Sequence, residues 1–447
     1  MPIFKYFLSL LLTLSMNGFL WGQITDSTYT NPIQDVSNIG DPYIMQEGDT
    51  YYLYATSNSV VHRGFFVWTS KNLVQWERYW LAFDNTLEGN EWGKSDFWAP
   101  EVFKLGTTFY MVYSARAADG KLKLALAKSN DLLGPFKNFK TPLLDSSIAC
   151  IDGDFFMDDD GKLYLYYVKD CSENIVNGKH VSQIYVQQMM PYSFYLIGDP
   201  ILCVQPSQSW EHPWADWQWN EGPYVMKHAG QYYLMYSANY FASPDYAIGY
   251  ATADSPLGPW TKYAQNPILK SDLDIGVSGP GHNSAAYSPD GKELFIAYHT
   301  HTDPANPSGD RILNIDRMYF ENGLLKIIGP TRSPQPLPSG ATISPVEQKK
   351  DHGLLKKFPL LKCYPNPFNN NMRIEFALNE SQFASVEILN LNGEKIKTLW
   401  QGFTRKGQYQ LHWAGNNGQG KPVGSGIYVC RLQTKNAVST QKISFIK

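Results

Sequence analysis

The sequence predicts an all-β protein: a five-bladed β-propeller followed by a small β-sandwich domain. Three observations predict it. A motif of a turn residue, an extended stretch, a tight turn and an aromatic-rich strand recurs five times between residues 30 and 330. Aromatic residues make up 15% of the 447-residue chain and charged residues only 18%, a balance suited to half-buried strands. Long amphipathic helical stretches are missing between the recurrences, which disfavours a parallel sheet with crossover helices.

The N-terminus reads as a secretory signal peptide over residues 1–22. Lys5 precedes the apolar run Tyr6 to Leu14, which is too short to span a bilayer, and cleavage is expected near Gly22. No later segment reads as a transmembrane span.

The five recurrences open at Asp41-Pro42, Ala99-Pro100, Asp152-Gly153, Gly222-Pro223 and Asn283-Ser284. Short turns such as Glu47-Gly48-Asp49 and Pro289-Asp290-Gly291 join their strands into hairpins. From Pro42 through Pro100, Gly153 and Pro223 to Ser284 the steps are 58, 53, 70 and 61 residues. Further strand-like runs within the steps, such as Leu124–Ala127 and Ile248–Ala251, bring each unit to about four strands, the content of a propeller blade. Residues 331–358, with Pro334, Pro336 and Pro338 and two lysine pairs, read as a linker. Residues 361–447 alternate strands and turns and read as the sandwich.

A net charge of -3 argues against nucleic acid as a partner. The five cysteines lack metal-type spacing; Cys150–Cys171 and Cys363–Cys430 are candidate disulfides, and one thiol at least is left over.

In a propeller the innermost strand of every blade lines a central channel, and all five run in one sense. Equivalent positions at their starts meet at one mouth. Those positions hold Asp41, Ala99, Asp152, Glu221 (one residue early) and, near the last, His282. Singly, each carboxylate reads as a turn residue. Together they do not, because like charges crowded at one mouth repel unless they are used. An acid to protonate a leaving oxygen and a base to activate water are what glycosidic cleavage needs, and a third carboxylate raises the acid's pKa. His282 reads equally as a buried hydrogen-bonded histidine or as a catalytic or metal-linked one. His299 and His301 share a strand face; stacking or surface exposure is favoured over a metal pair. Trp214, Trp217 and Trp219 read as a pocket wall or as loop core, with the pocket wall favoured.

The motifs Asn31-Pro32 with Gly40-Asp41-Pro42, Phe97-Trp98-Ala99-Pro100-Glu101, Ile151-Asp152, Asn220-Glu221-Gly222-Pro223 and Gly281-His282-Asn283 occur in this order. In this they resemble glycoside hydrolase family 43, with Gly153 standing where many members have proline. The resemblance implies a five-bladed propeller and hydrolysis with inversion of α-L-arabinofuranosyl or β-D-xylosyl linkages. It implies Asp41 as base, Glu221 as acid, Asp152 as pKa modulator, and Trp98, His282 and Arg311 as substrate-binding residues. No cofactor is required, although calcium in the central channel is an open option. Galactan- or galactofuranose-active enzymes of the same fold are the alternative, and a non-catalytic propeller lectin is a further one. A lectin would repeat its binding residues in every blade, whereas here they differ from blade to blade. The opening Cys363-Tyr364-Pro365-Asn366-Pro367-Phe368 of the last domain resembles a type IX secretion sorting domain. It implies secretion machinery as a partner and a secreted or cell-surface location.

Overall fold

The computed structural model describes residues 28–342, apart from 145, 146 and 148, and residues 360–446, apart from 379–381, 405–406 and 435–437. The expected signal peptide lies outside the described residues. The chain divides into two compact units, Met1–Val346 and Glu347–Lys447.

The first unit is built from five four-stranded antiparallel sheets. Their innermost strands are Ile39–Glu47, Ser95–Leu105, Cys150–Met157, Asn220–His228 and Gly281–Tyr287, opening blades one to five. The aromatic-rich runs form the second strands, as at Thr50–Ser57 and Leu294–His301. Apolar faces of neighbouring blades make separate cores, for example Phe65, Phe83 and Phe97 between blades one and two and Tyr233, Ile248 and Phe295-flanking Ile296 between four and five. Fully buried tyrosines bring polar tips into these cores, where a hydrogen-bond partner offsets the cost of burial. Tyr54 donates to the Leu132 carbonyl at 2.5 Å, Tyr166 to that of Pro256 at 2.6 Å, and Tyr298 to Asp316 Oδ2 at 2.6 Å.

The start of the expected linker belongs to the propeller instead. Gln335–Pro336 pairs with Thr28–Tyr29 and joins the two ends of the unit. Thr331 Oγ1 donates to Asp316 Oδ1 at 2.5 Å, and Arg332 donates to Asn314 Oδ1 at 2.7 Å. The prolines that suggested a tether favour extended chain, and extended chain also serves as an edge strand.

The second unit has a three-stranded sheet opening with Leu360–Tyr364 and a four-stranded sheet that includes Gln382–Leu389 and Gly426–Thr434. Its own core contains Phe368, Trp413, Cys363 and Cys430. Cys430 lies within hydrogen-bonding reach of Cys363. No described helix is long and apolar enough to cross a membrane.

Separate cores predict that a chain ending at Val346 keeps the melting temperature and turnover of the propeller in the full protein. A chain ending at residue 330 should melt lower, since buried Asp316 loses Thr331, at a cost of about 1–3 kcal/mol. Calorimetry on both truncations checks this; equal melting temperatures would contradict it.

Candidate active site

Each innermost strand carries a bulge at the same place. The pairing skips between Gly40 and Tyr43, Trp98 and Glu101, Ile151 and Asp154, Glu221 and Tyr224, and Gly281 and Ser284. One residue of each bulge is left-handed: Asp41 (φ 56°), Ala99 (44°), Asp152 (52°), Gly222 (57°) and His282 (46°). This conformation costs a non-glycine residue roughly 1–2 kcal/mol. It turns the residue out of the pleat at the channel mouth, as bulges do beside active sites. His282 is therefore the fifth-blade counterpart of Asp41, and the last recurrence aligns through Asn283 with Pro42, one residue earlier than the sequence pattern implied.

The amide freed by the bulge finds an acceptor on the second strand of the preceding blade in four of the five cases. Ala99 donates to Thr56 Oγ1 at 2.8 Å, Asp152 to Ser114 Oγ at 3.0 Å, His282 to Ser237 Oγ at 2.7 Å, and Asp41 to His299 Nδ1 at 3.1 Å. In blade three the matching position, opposite Ile151, is Val168, which has no side-chain acceptor. The Gly222 amide instead donates to Asp152 Oδ2 at 3.0 Å. One break in a repeated pattern thus pins the Asp152 carboxyl beside Glu221.

The charges are divided unequally. Asp41 Oδ1 accepts from Arg311 at 2.9 Å and lies 3.3 Å from His282 Nδ1, while Oδ2 accepts from Thr56 at 2.5 Å. Burial alone would raise the Asp41 pKa; the Arg311 and His282 charges and the Thr56 bond outweigh it and hold the carboxyl well below the usual range. Glu221 is treated oppositely. Burial first, and then the Asp152 charge, lift it well above the usual range, against a 2.9 Å hydrogen bond from Tyr246 Oη to Oε1. Asp152 itself is raised by burial to about 6, the Asp41 charge adding to the rise and His282 opposing it.

The pocket is tightly fitted. A Cβ on Gly40 would lie 2.0 Å from the Arg311 guanidinium, and one on Gly281 would lie 1.9 Å from the Tyr246 ring. Deeper in the channel Glu101 and Asp154 form a buried carboxyl pair; burial lifts Glu101 well above its usual range and Asp154 to about 7.

The structure brings Asp41, Asp152, Glu221, His282 and Arg311 together. Trp98 is half-buried, at the position of its bulge that Glu221 holds in its own, and packs against the core between blades three and four. His299 and His301 are not surface residues. His299 is fully buried and stacks on Tyr246, ring centroids 5.6 Å apart, and His301 bonds to Ser278 Oγ and the Phe241 carbonyl. Their alternation along the strand showed a shared face but not which side the next blade covers.

The sequence reading missed Thr56 and Tyr246. Thr56, Ser114, Ser237 and His299 occupy one repeat position at the end of each second strand, so aligning those strands finds Thr56. Tyr246 sits in a loop without a counterpart in other blades. Calcium is the group the family resemblance implies near His282, and it takes six to eight oxygen ligands. Among the described residues no three His, Cys, Asp or Glu side chains converge on a metal site.

Residues 29–325 match the model of glycosyl hydrolases family 43, and residues 362–447 match that of a secretion system C-terminal sorting domain. The chain is 60% identical to a thermostable family-43 glycoside hydrolase of known crystal structure, with a TM-score of 0.69, covering 70% of this chain and 100% of that one. It is 27% identical over 296 residues to a β-D-galactofuranosidase of Aspergillus niger, covering 63% of this chain and 79% of that protein. It is 25% identical over 330 residues to an extracellular exo-α-(1→5)-L-arabinofuranosidase of Streptomyces avermitilis, covering 66% of this chain and 61% of that protein. With residues 29–325 matched to the family model and its last domain a sorting signal for export, the chain belongs to glycosyl hydrolases family 43 and is a secreted glycoside hydrolase.

Proposed function

We propose that the enzyme hydrolyses α-L-arabinofuranosyl or β-D-xylosyl linkages with inversion, with Asp41 as base, Glu221 as acid and Asp152 as modulator of the acid. The observation that carries this reading is the unequal setting of two carboxyls in one pocket. Asp41 is bonded to Arg311 and Thr56, which favour its ionised form, while Glu221 is buried near Asp152, which favours its protonated form against a hydrogen bond from Tyr246. A water enters beside Asp41, its oxygen bonds to the anomeric carbon, and its proton passes to the carboxylate. On the opposite side the glycosidic C–O bond breaks as Glu221 gives its proton to the leaving oxygen. Both carboxyls then exchange their protons with solvent and return to their starting states.

His282 supports the wide spacing this needs. Its imidazole lies between the strands of Asp41 and Glu221, 3.3 Å from the Asp41 carboxylate and about as close to where a Cβ on Gly222 would stand. The Asp41 charge accordingly weighs on Glu221 less than that of Asp152. Arg311 and His282 fix the base and face the sugar with their remaining donors, and Trp98 is assigned to the pocket wall.

The arabinofuranosyl reading is supported by the Streptomyces relative, and the Aspergillus relative favours a second one, galactofuranosyl cleavage. Initial rates on aryl α-L-arabinofuranoside, β-D-xyloside and β-D-galactofuranoside decide between them. The first or second is expected to be cleaved fastest. A clear preference for the third moves the assignment to galactofuranose, and no turnover of any would overturn the proposal.

A further inference from the structure

Between blades three and four the chain makes a structure that belongs to no blade. Ile175–Val176, Lys179–Val181 and Trp217–Gln218 form a separate three-stranded sheet. Trp217 is 46% exposed on it, and Tyr240, on the neighbouring loop, is 47% exposed. Large aromatic rings left open to water gain nothing for the fold.

These rings form a row. Trp217 and Trp219 lie 6.4 Å apart with planes inclined by 22°, Trp219 and Tyr240 lie 5.6 Å apart, and Tyr240 and Phe241 lie 4.9 Å apart. The Arg311 guanidinium, which holds Asp41, sits 5.0 Å over the Phe241 ring. Trp217, Trp219 and Glu221 are spaced by two along the chain, the spacing that puts side chains on one face of an extended segment. The row therefore reaches the pocket, with Phe241 beside the Arg311 that holds Asp41 and Trp219 two residues from Glu221.

It is also held rigid. His180 stacks on Trp217 with centroids 3.9 Å apart and planes within 4°, and their strands pair in parallel. Gln218 Nε2 donates to the carbonyls of Pro213 (2.9 Å) and Ala215 (2.7 Å). The second loop is tied by Asn239, which donates to the carbonyls of Trp210 and Asp245. Tyr246, which bonds to Glu221, sits in that loop.

We propose that Trp217, Trp219, Tyr240 and Phe241 are binding subsites for the leaving-group part of an extended neutral glycan chain. The acid protonates the leaving oxygen, so sugars on its side of the bond pass over these rings. Flat aromatic faces suit the apolar C–H faces of sugar rings, and a preformed row spares the enzyme the entropy of ordering loops on binding. The inference rests on the glycosidase reading above and adds that the physiological substrate is a chain, not a single-residue glycoside.

The test uses the full-length protein with Trp217→Ala and Trp217→Tyr, whose exposed position spares the fold. Oligosaccharides of two to six units, of the sugar that the aryl panel identifies, are compared with the aryl glycoside itself. Wild-type kcat/KM is expected to rise with chain length. Trp217→Ala should lower it about ten-fold on the longest oligomer, mainly through KM. The loss on the aryl glycoside should be much smaller than on the oligomer, and Trp217→Tyr should restore most of the oligomer loss. Equal losses on both substrates would show a structural role, and no loss on either would show that no sugar reaches the ring; each overturns the proposal. Affinity electrophoresis in gels containing arabinan or xylan reads binding without turnover. There Glu221→Gln should still be retarded and Trp217→Ala should not, so a failure of the subsites is distinguished from a failure of the catalytic reading.

Discussion

Glu221→Gln is expected to lose activity according to the leaving group, and Asp41→Asn regardless of it. A glutamine at 221 still accepts from Tyr246 but has no proton to give. On an oligosaccharide, whose leaving alkoxide needs that proton, kcat should fall on the order of 10²–10⁴-fold. On a dinitrophenyl glycoside, whose leaving group departs as a stable anion, most of the activity should return. Asparagine at 41 keeps an oxygen for Arg311 but takes no proton from water, so both substrates should fall on the order of 10²–10⁴-fold. Steady-state kinetics of the two variants on the two substrates check this. Rescue of Asp41→Asn instead of Glu221→Gln would mean the acid and base are interchanged.

Asp152→Asn is expected to move the basic limb of the pH–rate profile to lower pH. That limb is the loss of the Glu221 proton. The Asp152 charge is one of the causes raising the Glu221 pKa, so removing it lets the acid ionise earlier. Burial, the larger cause, remains, so Glu221 should still titrate above an unperturbed glutamic acid. In the wild-type enzyme Asp152 itself ionises near 6, so the two carboxyls lose their protons as an interacting pair. The variant should show a single step on that side. The asparagine oxygen still accepts from the Gly222 amide, so the melting temperature should change little. An unmoved basic limb in a correctly folded variant would contradict the role of Asp152.

The repeat made much of this legible in advance. Recurring turn–strand–turn–strand segments specify blades, and a blade's innermost strand has one place to go. Asp41, Asp152, Glu221 and His282 were therefore brought to one channel mouth by counting alone. Which carboxyl is ionised was not legible from the repeat and was assigned only through the family resemblance, because it depends on partners distant in the chain: Arg311, 270 residues from Asp41, and Thr56 on the adjacent strand. The bulges also escaped notice, since they are set by pairing register and not by composition. They explain why Glu221 stands one residue ahead of Asp152, with Gly222 taking the left-handed position. The consequence of Val168 appears only when second strands are compared across blades: without a side-chain acceptor there, the Gly222 amide turns to Asp152. Tyr246 had no signal of any kind, because loops carry no repeat. The prolines of residues 331–342 misled in the other direction, for an edge strand and a tether have the same composition.

The configuration of the sugar at first release tests the central claim most directly, that Asp41 activates a water and Glu221 protonates the leaving oxygen across a gap. Proton NMR during the first minutes of turnover, before mutarotation mixes the anomers, reads it. The account predicts the anomer opposite in configuration to the substrate, as an acid and base roughly 6.5–9.5 Å apart require. Release of the anomer with the substrate's configuration would mean that a carboxylate attacks the sugar itself from about 5–5.5 Å, and would contradict the assignment of Asp41 as a base.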